Sequence, residues 1–138
     1  MIEVYIDGLT EPVNPGGITT YAFVVYENRE KLHEQADIVG QGEGFSNNVG
    51  EYAALLAALR WLLENNLTSG IEIKSDSRLL VNQMNGVWKV RRGYYIKTLE
   101  QVKEVLKEFQ NIKFIWIPRE ENTEADMLSR MAYERYRR

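Results

Sequence analysis

Hydrophobic periodicity in this chain switches between two and 3.6 residues, and the order of the switches leaves few folds open. Residues 2–7 alternate Ile2, Val4 and Ile6 with Glu3, Tyr5 and Asp7, the period of a strand. Asp7-Gly8 is expected to end that strand, and Glu11-Pro12 through Asn14-Pro15-Gly16-Gly17 to form a turn-rich loop. Thr19 to Tyr26, rich in β-branched and aromatic residues, and Lys31 to Gly40 read as two more strands joined by a turn at Asn28-Arg29. The first third is therefore predicted to be an antiparallel meander. Tyr52, Leu55, Leu56, Leu59, Leu62 and Leu63 then recur at helical spacing, closed by Asn65-Asn66 and Gly70. Ile71 to Lys74 reads as a short strand, and Ser77 to Asn85 as a second helix. A third helix carries Ile96, Leu99, Val102, Val105, Leu106 and Phe109 on one face. Ile112 to Ile117 is a last strand stopped by Pro118, and a final helix starts near Thr123.

Strands joined through helices run parallel, and strands joined by tight turns run antiparallel. The expectation is an α/β fold: a mixed five-stranded sheet, three antiparallel strands and then parallel ones, flanked by helices on both faces. No linker, repeat or low-complexity segment divides residues 1–138, so one domain is expected.

Composition then removes chemistries. The chain has no cysteine, which excludes disulfides, thiolate metal sites and cysteine nucleophiles. His33 is the single histidine, so RNA cleavage by a histidine pair is impossible, and no nucleophile motif lies near it for a triad. No apolar run nears the ~18 residues that span a bilayer. Met1 to Val4 lacks the basic head and apolar stretch of a secretory signal, and a cytoplasmic location is expected. A net charge of −3 argues against nonspecific coating of nucleic acid but leaves room for a local basic track. Chemistry in this chain has to run on carboxylates.

Four acids stand out by position. Asp7 and Asp76 lie at the predicted C-terminal ends of strands 1 and 4, where open sheets favour ligands. Glu51 lies in the predicted first turn of the long helix and Asp126 in that of the last helix, and the topology lets all four converge. Each also has a structural reading: Asp7 and Asp76 as turn formers, Glu51 in a capping box begun by Asn48, and Asp126 as an answer to the helix dipole. Together they point elsewhere. Packed carboxylates resist ionisation unless a cation shares the site, and an all-oxygen anionic set suits Mg²⁺ or Mn²⁺ rather than zinc. Two such ions roughly 4 Å apart clamp both the attacking water and the leaving oxygen of a phosphodiester. Metal-assisted phosphodiester hydrolysis is the expected reaction.

The chain resembles type 1 ribonuclease H over nearly its whole length. The resemblance rests on Tyr5-Ile6-Asp7-Gly8, Asn14-Pro15-Gly16-Gly17, Ser46-Asn47-Asn48-Val49-Gly50-Glu51 and Lys74-Ser75-Asp76-Ser77. It ends with Trp116-Ile117-Pro118-Arg119-Glu120-Glu121-Asn122-Thr123-Glu124-Ala125-Asp126. It implies that Asp7, Glu51, Asp76 and Asp126 bind two metal ions and cleave the RNA strand of an RNA/DNA hybrid, leaving a 5′-phosphate and a 3′-hydroxyl. It also implies minor-groove contacts from Asn14, Asn47 and Asn48, whose amides both donate and accept and so match a 2′-hydroxyl. Asn122 is placed with the substrate contacts by the same motif. The structural readings of Asn14 as a turn residue and Asn48 as a helix cap stand beside these.

Three departures qualify the resemblance. Many members carry a histidine in the loop before the last helix; here Arg119 and Glu120 stand there, and Arg119 offers a cation to a phosphate. Arg78 replaces a common glutamine, which favours a phosphate contact over a groove amide. The basic helix that some members insert is missing, although Lys89, Arg91, Arg92 and Lys97 interleave with Trp88, Tyr94 and Tyr95 in a mix suited to a sugar-phosphate track. The cations of Tyr133 to Arg138 read as a solvated helix end. A monomer without an obligate protein partner is expected. Two other readings remain open: a noncatalytic hybrid-binding module, and a nuclease of the same fold acting on another nucleic acid such as double-stranded RNA.

Overall fold

In the computed structural model, which describes residues 1–90 and 92–137, the first strand, β1 (Ile2–Glu11), does not stop at Asp7-Gly8. It stays paired with β2 (Ile18–Glu27) as far as Glu11↔Ile18, and the Thr10 and Thr19 hydroxyls share a buried 2.7 Å hydrogen bond. Alternation fails beyond Ile6 because residues 6–10 are buried whichever face they point to. Asn28 and Arg29, both left-handed at φ 50° and 70°, make the predicted turn into β3 (Glu30–Gln41).

Helix α1 (Asn47–Glu64) begins two residues earlier than the capping-box reading requires. Ser46, not Asn48, is the cap; its Oγ accepts from the Val49 N–H at 3.4 Å. Glu51 consequently lies in the second turn, not the first. After β4 (Ser69–Ser75) come α2 (Arg78–Met84), capped by Ser77, and α3 (Ile96–Leu106). Phe109 lies past the end of α3 yet stays buried, leading into β5 (Gln110–Trp116). Pro118 ends that segment, and a 3₁₀ turn at Arg119–Glu121, absent from the periodicity, precedes α4 (Thr123–Tyr136).

The strands form one five-stranded mixed sheet in the order β3-β2-β1-β4-β5, with β1–β2 and β2–β3 antiparallel and β1–β4 and β4–β5 parallel. Val4, Ile6, Phe23, Val25 and Ile73 on one face meet Leu55, Leu59 and Leu62 of α1, and Leu99 and Val102 of α3 join the same core. Each of these fully buried leucines contributes about 2 kcal/mol by transfer from water. On the opposite face Ala22, Val24 and Ala125 form a smaller core under α4. Helices therefore cover both faces, as the element order predicts.

Candidate active site

Strand β1 changes neighbours at Asp7, and that change opens a pocket. Its parallel pairing with β4 stops at Tyr5↔Lys74, while its antiparallel pairing with β2 continues through Asp7↔Ala22. Asp7 thus sits in the middle of one ladder and just past the end of the other. Asp76 follows the last residue of β4, beside this gap.

Two glycines bring Glu51 to the same place. A Cβ on Gly8 would lie 2.3 Å from the Glu51 nitrogen and from the Gly50 carbonyl carbon, and one on Gly50 would lie 2.8 Å from the Thr20 oxygen. Real side chains do not tolerate such contacts, so backbone packs on backbone here. The start of α1 is pressed onto β1 and β2, and Glu51 reaches Asp7.

One carboxylate oxygen each from Asp7, Glu51 and Asp76 lie within 4.8 Å of one another. Asp7 and Glu51 are buried, and Glu51 Oε2 has no hydrogen-bond partner. Burial first, then the charges of Asp76 and Asp126, push the Asp7 carboxyl up to about 8. Burial, then Asp7 and Asp76, hold Glu51 well above the usual range. Asp76 is raised by burial, an effect that the Asn122 amide and the Arg119 guanidinium oppose. Such a set is unfavourable alone and favourable around a cation. The orphaned Glu51 oxygen and the all-oxygen donors fit a hard divalent ion.

Asp126, in the first turn of α4, stands at the rim of this triple. It is close enough to Asp7 to hydrogen-bond with it and raise its pKa. Both of its oxygens also accept from Arg130 Nε, at 3.2 Å each. Arg130 is half-exposed, so this is a surface i,i+4 pair and a modest restraint. The four predicted acids therefore share one locality, with three in the tight cluster and the fourth, at its rim, paired with a half-exposed arginine.

The expected substrate contacts lie around this pocket in different states. The Asn14 Oδ1 accepts from the Asn47 N–H at 3.1 Å, tying the loop after β1 to the start of α1. Asn47 Oδ1 is buried without a partner, and Asn48 is exposed. The Arg78 guanidinium lies 4.1 Å from the centre of the Trp116 ring, whose Nε1 donates to the Asp76 carbonyl at 3.2 Å. Trp88, Lys89 and Arg92 line an open cavity of about 560 Å³ with Asn48, Gln83 and Tyr95. Arg91 lies outside the described residues. Arg119 is exposed beside Asp76. Asn122 is only 1% exposed, and its Nδ2 donates to the Ile6 carbonyl at 2.8 Å. It braces β1 against the start of α4, a placement that the motif alone does not reveal. His33 stacks on Trp61, ring centres 4.6 Å apart, as a structural residue.

The glycine contact, the Trp116 bracket and the buried Gln83 have no counterpart among the sequence expectations. Gly8 directly after one acid and Gly50 directly before another was the available signal for the first. The other two depend on partners distant in sequence.

Residues 14–132 match the family model described as "Reverse transcriptase-like". LC11-RNase H1, solved in complex with an RNA/DNA hybrid, is 32% identical with a TM-score of 0.88 over 98% of each chain. The N-terminal RNase H domain of Rv2228c from Mycobacterium tuberculosis is 32% identical with a TM-score of 0.87, over 96% of this chain and 93% of that one. Ribonuclease HI of Halobacterium salinarum is 28% identical over 133 residues, 96% of this chain and 64% of that protein. The chain spans 32% of the length of the bifunctional protein Rv2228c itself, at 33% identity over 123 residues. Among the described residues no helix separates α2 from α3, where a basic insertion would lie. The shared sheet, the family match and the two structures at 32% identity agree: this chain belongs to the type 1 ribonuclease H family, in a short form without the full basic protrusion.

Proposed function

We propose that residues 1–138 form one ribonuclease H domain that cuts the RNA strand of RNA/DNA hybrids, leaving 5′-phosphate and 3′-hydroxyl ends. The observation that carries this reading is the cluster of Asp7, Glu51 and Asp76 within 4.8 Å, with a buried, unpartnered Glu51 oxygen. The hybrid bound in the LC11-RNase H1 structure supports the substrate class.

Asp7, Glu51, Asp76 and Asp126 would hold two divalent ions, Mg²⁺ or Mn²⁺, which supply Lewis acidity at the attacking water and the leaving 3′-oxygen. The protein's own part is placement. Asp7 is fixed by strand pairing on β2, Glu51 by the Gly8–Gly50 contact, and Asp76 by the Trp116 bond to its carbonyl. Asn14, Asn47 and Asn48, gathered at the start of α1, face the minor groove and read the 2′-hydroxyl. Asn122 acts on the reaction by bracing β1. Arg78, flattened on Trp116, contacts a backbone phosphate, and Arg119 beside Asp76 steadies the product phosphate. Trp88, Lys89, Arg91 and Arg92 track the DNA strand. No helix among the described residues is long and apolar enough to cross a membrane, and we read the protein as a cytoplasmic monomer.

The test is a labelled RNA/DNA duplex incubated with Mg²⁺, Mn²⁺ or EDTA, beside single-stranded RNA, double-stranded RNA and DNA. Hybrid-specific cleavage that needs metal and is lost in Asp7→Ala and Asp76→Ala is expected. Cleavage that survives both substitutions refutes the site. Hybrid binding without any cleavage refutes the activity and leaves a noncatalytic module, and equal cutting of double-stranded RNA refutes the substrate class.

A further inference from the structure

Gln83 is a buried polar side chain, 8% exposed, that no step above uses. Its amide is fully engaged. The Tyr52 hydroxyl donates to Oε1 at 2.6 Å, and Nε2 donates to the Tyr95 hydroxyl at 3.0 Å and to the Lys89 carbonyl at 3.3 Å. The two tyrosine rings stack, 5.2 Å between centres and 10° from parallel. Burial, and after it the neighbouring Tyr95, raise the pKa of Tyr52, so its hydroxyl remains a donor.

The position of these partners matters more than their number. Tyr52 follows Glu51 in α1, Gln83 belongs to the helix that follows Asp76, and Tyr95 precedes α3. Lys89 lies in the segment between α2 and α3, which has no helix or strand of its own among the described residues. That segment is otherwise held near α2 by the Val87 and Trp88 N–H groups, which both donate to the Asn82 carbonyl at 2.8 and 3.1 Å. The cavity of about 560 Å³ beside it runs from Asn48 to Lys89 and Arg92, with Gln83 and Tyr95 among its lining residues. An apolar side chain at position 83 would leave the Tyr52 hydroxyl and the Lys89 carbonyl without this partner, and losing one side of a buried hydrogen bond costs more than the bond's net worth. What the amide adds is a fixed geometry: its donors and acceptors fit one arrangement of three segments.

We propose that Gln83 is a positioning residue for substrate binding: through Tyr52, Tyr95 and the Lys89 carbonyl it sets the wall formed by Trp88, Lys89 and Arg92 at a fixed distance from the carboxylate pocket. A strand gripped at Lys89 and Arg92 and a strand cut at Asp7 then belong to one duplex. The inference rests on the ribonuclease H reading and adds a residue that acts on affinity without touching the nucleic acid.

Three variants test it: Gln83→Met removes all three bonds, Gln83→Glu keeps both tyrosines but cannot donate to Lys89, and Tyr95→Phe removes one acceptor. Hybrid binding is followed by fluorescence anisotropy in EDTA across a salt series, and cleavage by kcat and KM in Mg²⁺. The expected result for Gln83→Met is a rise in Kd and KM of about tenfold, with a shallower salt slope from losing about one phosphate contact. At saturating hybrid kcat stays within about twofold, as expected for lost uniform binding. Gln83→Glu shows most of that effect and Tyr95→Phe a smaller one. Unchanged Kd and salt slope in folded Gln83→Met and Gln83→Glu overturn the proposal, as does a fall in kcat at constant KM. Wild-type protein that binds hybrid but never cuts it refutes the activity, while the anisotropy comparison still decides the role of Gln83. Wild-type protein that does not bind hybrid overturns both.

Discussion

Without metal the carboxylate pocket holds repulsion, so neutralising one of its charges is expected to stabilise the protein. Asp7→Asn is the cleanest perturbation, because it keeps size and shape and removes only the ionisable group. The Asp7 carboxyl is pushed from 3.8 up to about 8, by burial first and then by Asp76 and Asp126. Over that interval the folded protein retains a proton that the unfolded chain has lost, so stability falls as pH rises. The contribution is intact below pH 4 and spent above pH 8. The interval from 3.8 to pH 7, about three units at 1.36 kcal/mol each, sets a ceiling of about 4 kcal/mol. Water entering the mouth of the pocket screens part of this, and about 2 kcal/mol is the expected gain for Asp7→Asn. For a chain of this length that is a rise in Tm of roughly 6 °C. The assay is thermal unfolding in EDTA from pH 5 to pH 8. Wild-type Tm should fall more steeply with pH than that of the variant, and the variant should melt higher at pH 8. Adding millimolar Mg²⁺ should favour the wild type, since an ion bound only by the folded state stabilises it. A wild-type Tm that is flat or rising relative to the variant across this range refutes the reasoning, as does a variant that melts lower at pH 8.

Gly8→Ala forces a Cβ to within 2.3 Å of the α1 backbone, so α1 must shift and carry Glu51 with it. Hybrid cleavage should drop about 100-fold while circular dichroism still shows the sheet, and near-normal kcat would show that the Gly8–Gly50 contact does not set the site. Arg130→Ala removes a half-exposed partner from Asp126, so stability should change by no more than about 0.5 kcal/mol. Calorimetric titration should show Mg²⁺ binding unchanged or tighter, because a competing cation has gone; weaker binding would mean that Arg130 holds Asp126 in place.

Local pattern recovered much of the frame. The left-handed Asn28-Arg29 turn, the long apolar helix and the stop at Pro118 are decided by neighbours in sequence, where backbone sterics and side-chain spacing act directly. The end of β1 was not legible, because α1 and α4 bury residues 6–10 on both faces and erase the alternation. By local pattern Asn48 reads as a cap, whereas Ser46 takes that place, a difference of two residues that moves Glu51 into the second turn. Asn122 carried a recognisable motif, yet its bond to the Ile6 carbonyl spans 116 residues and has no local signature.

The sequence by itself determined which chemistry was possible: without cysteine and with one histidine, only acids remained, and their motifs named the family. Tertiary structure alone decided where those acids meet, since Asp7 lies where β1 leaves β4, and Glu51 arrives because two facing glycines let backbones touch. The reason is that composition and spacing act along the chain, whereas mutual repulsion, burial and close packing act through space.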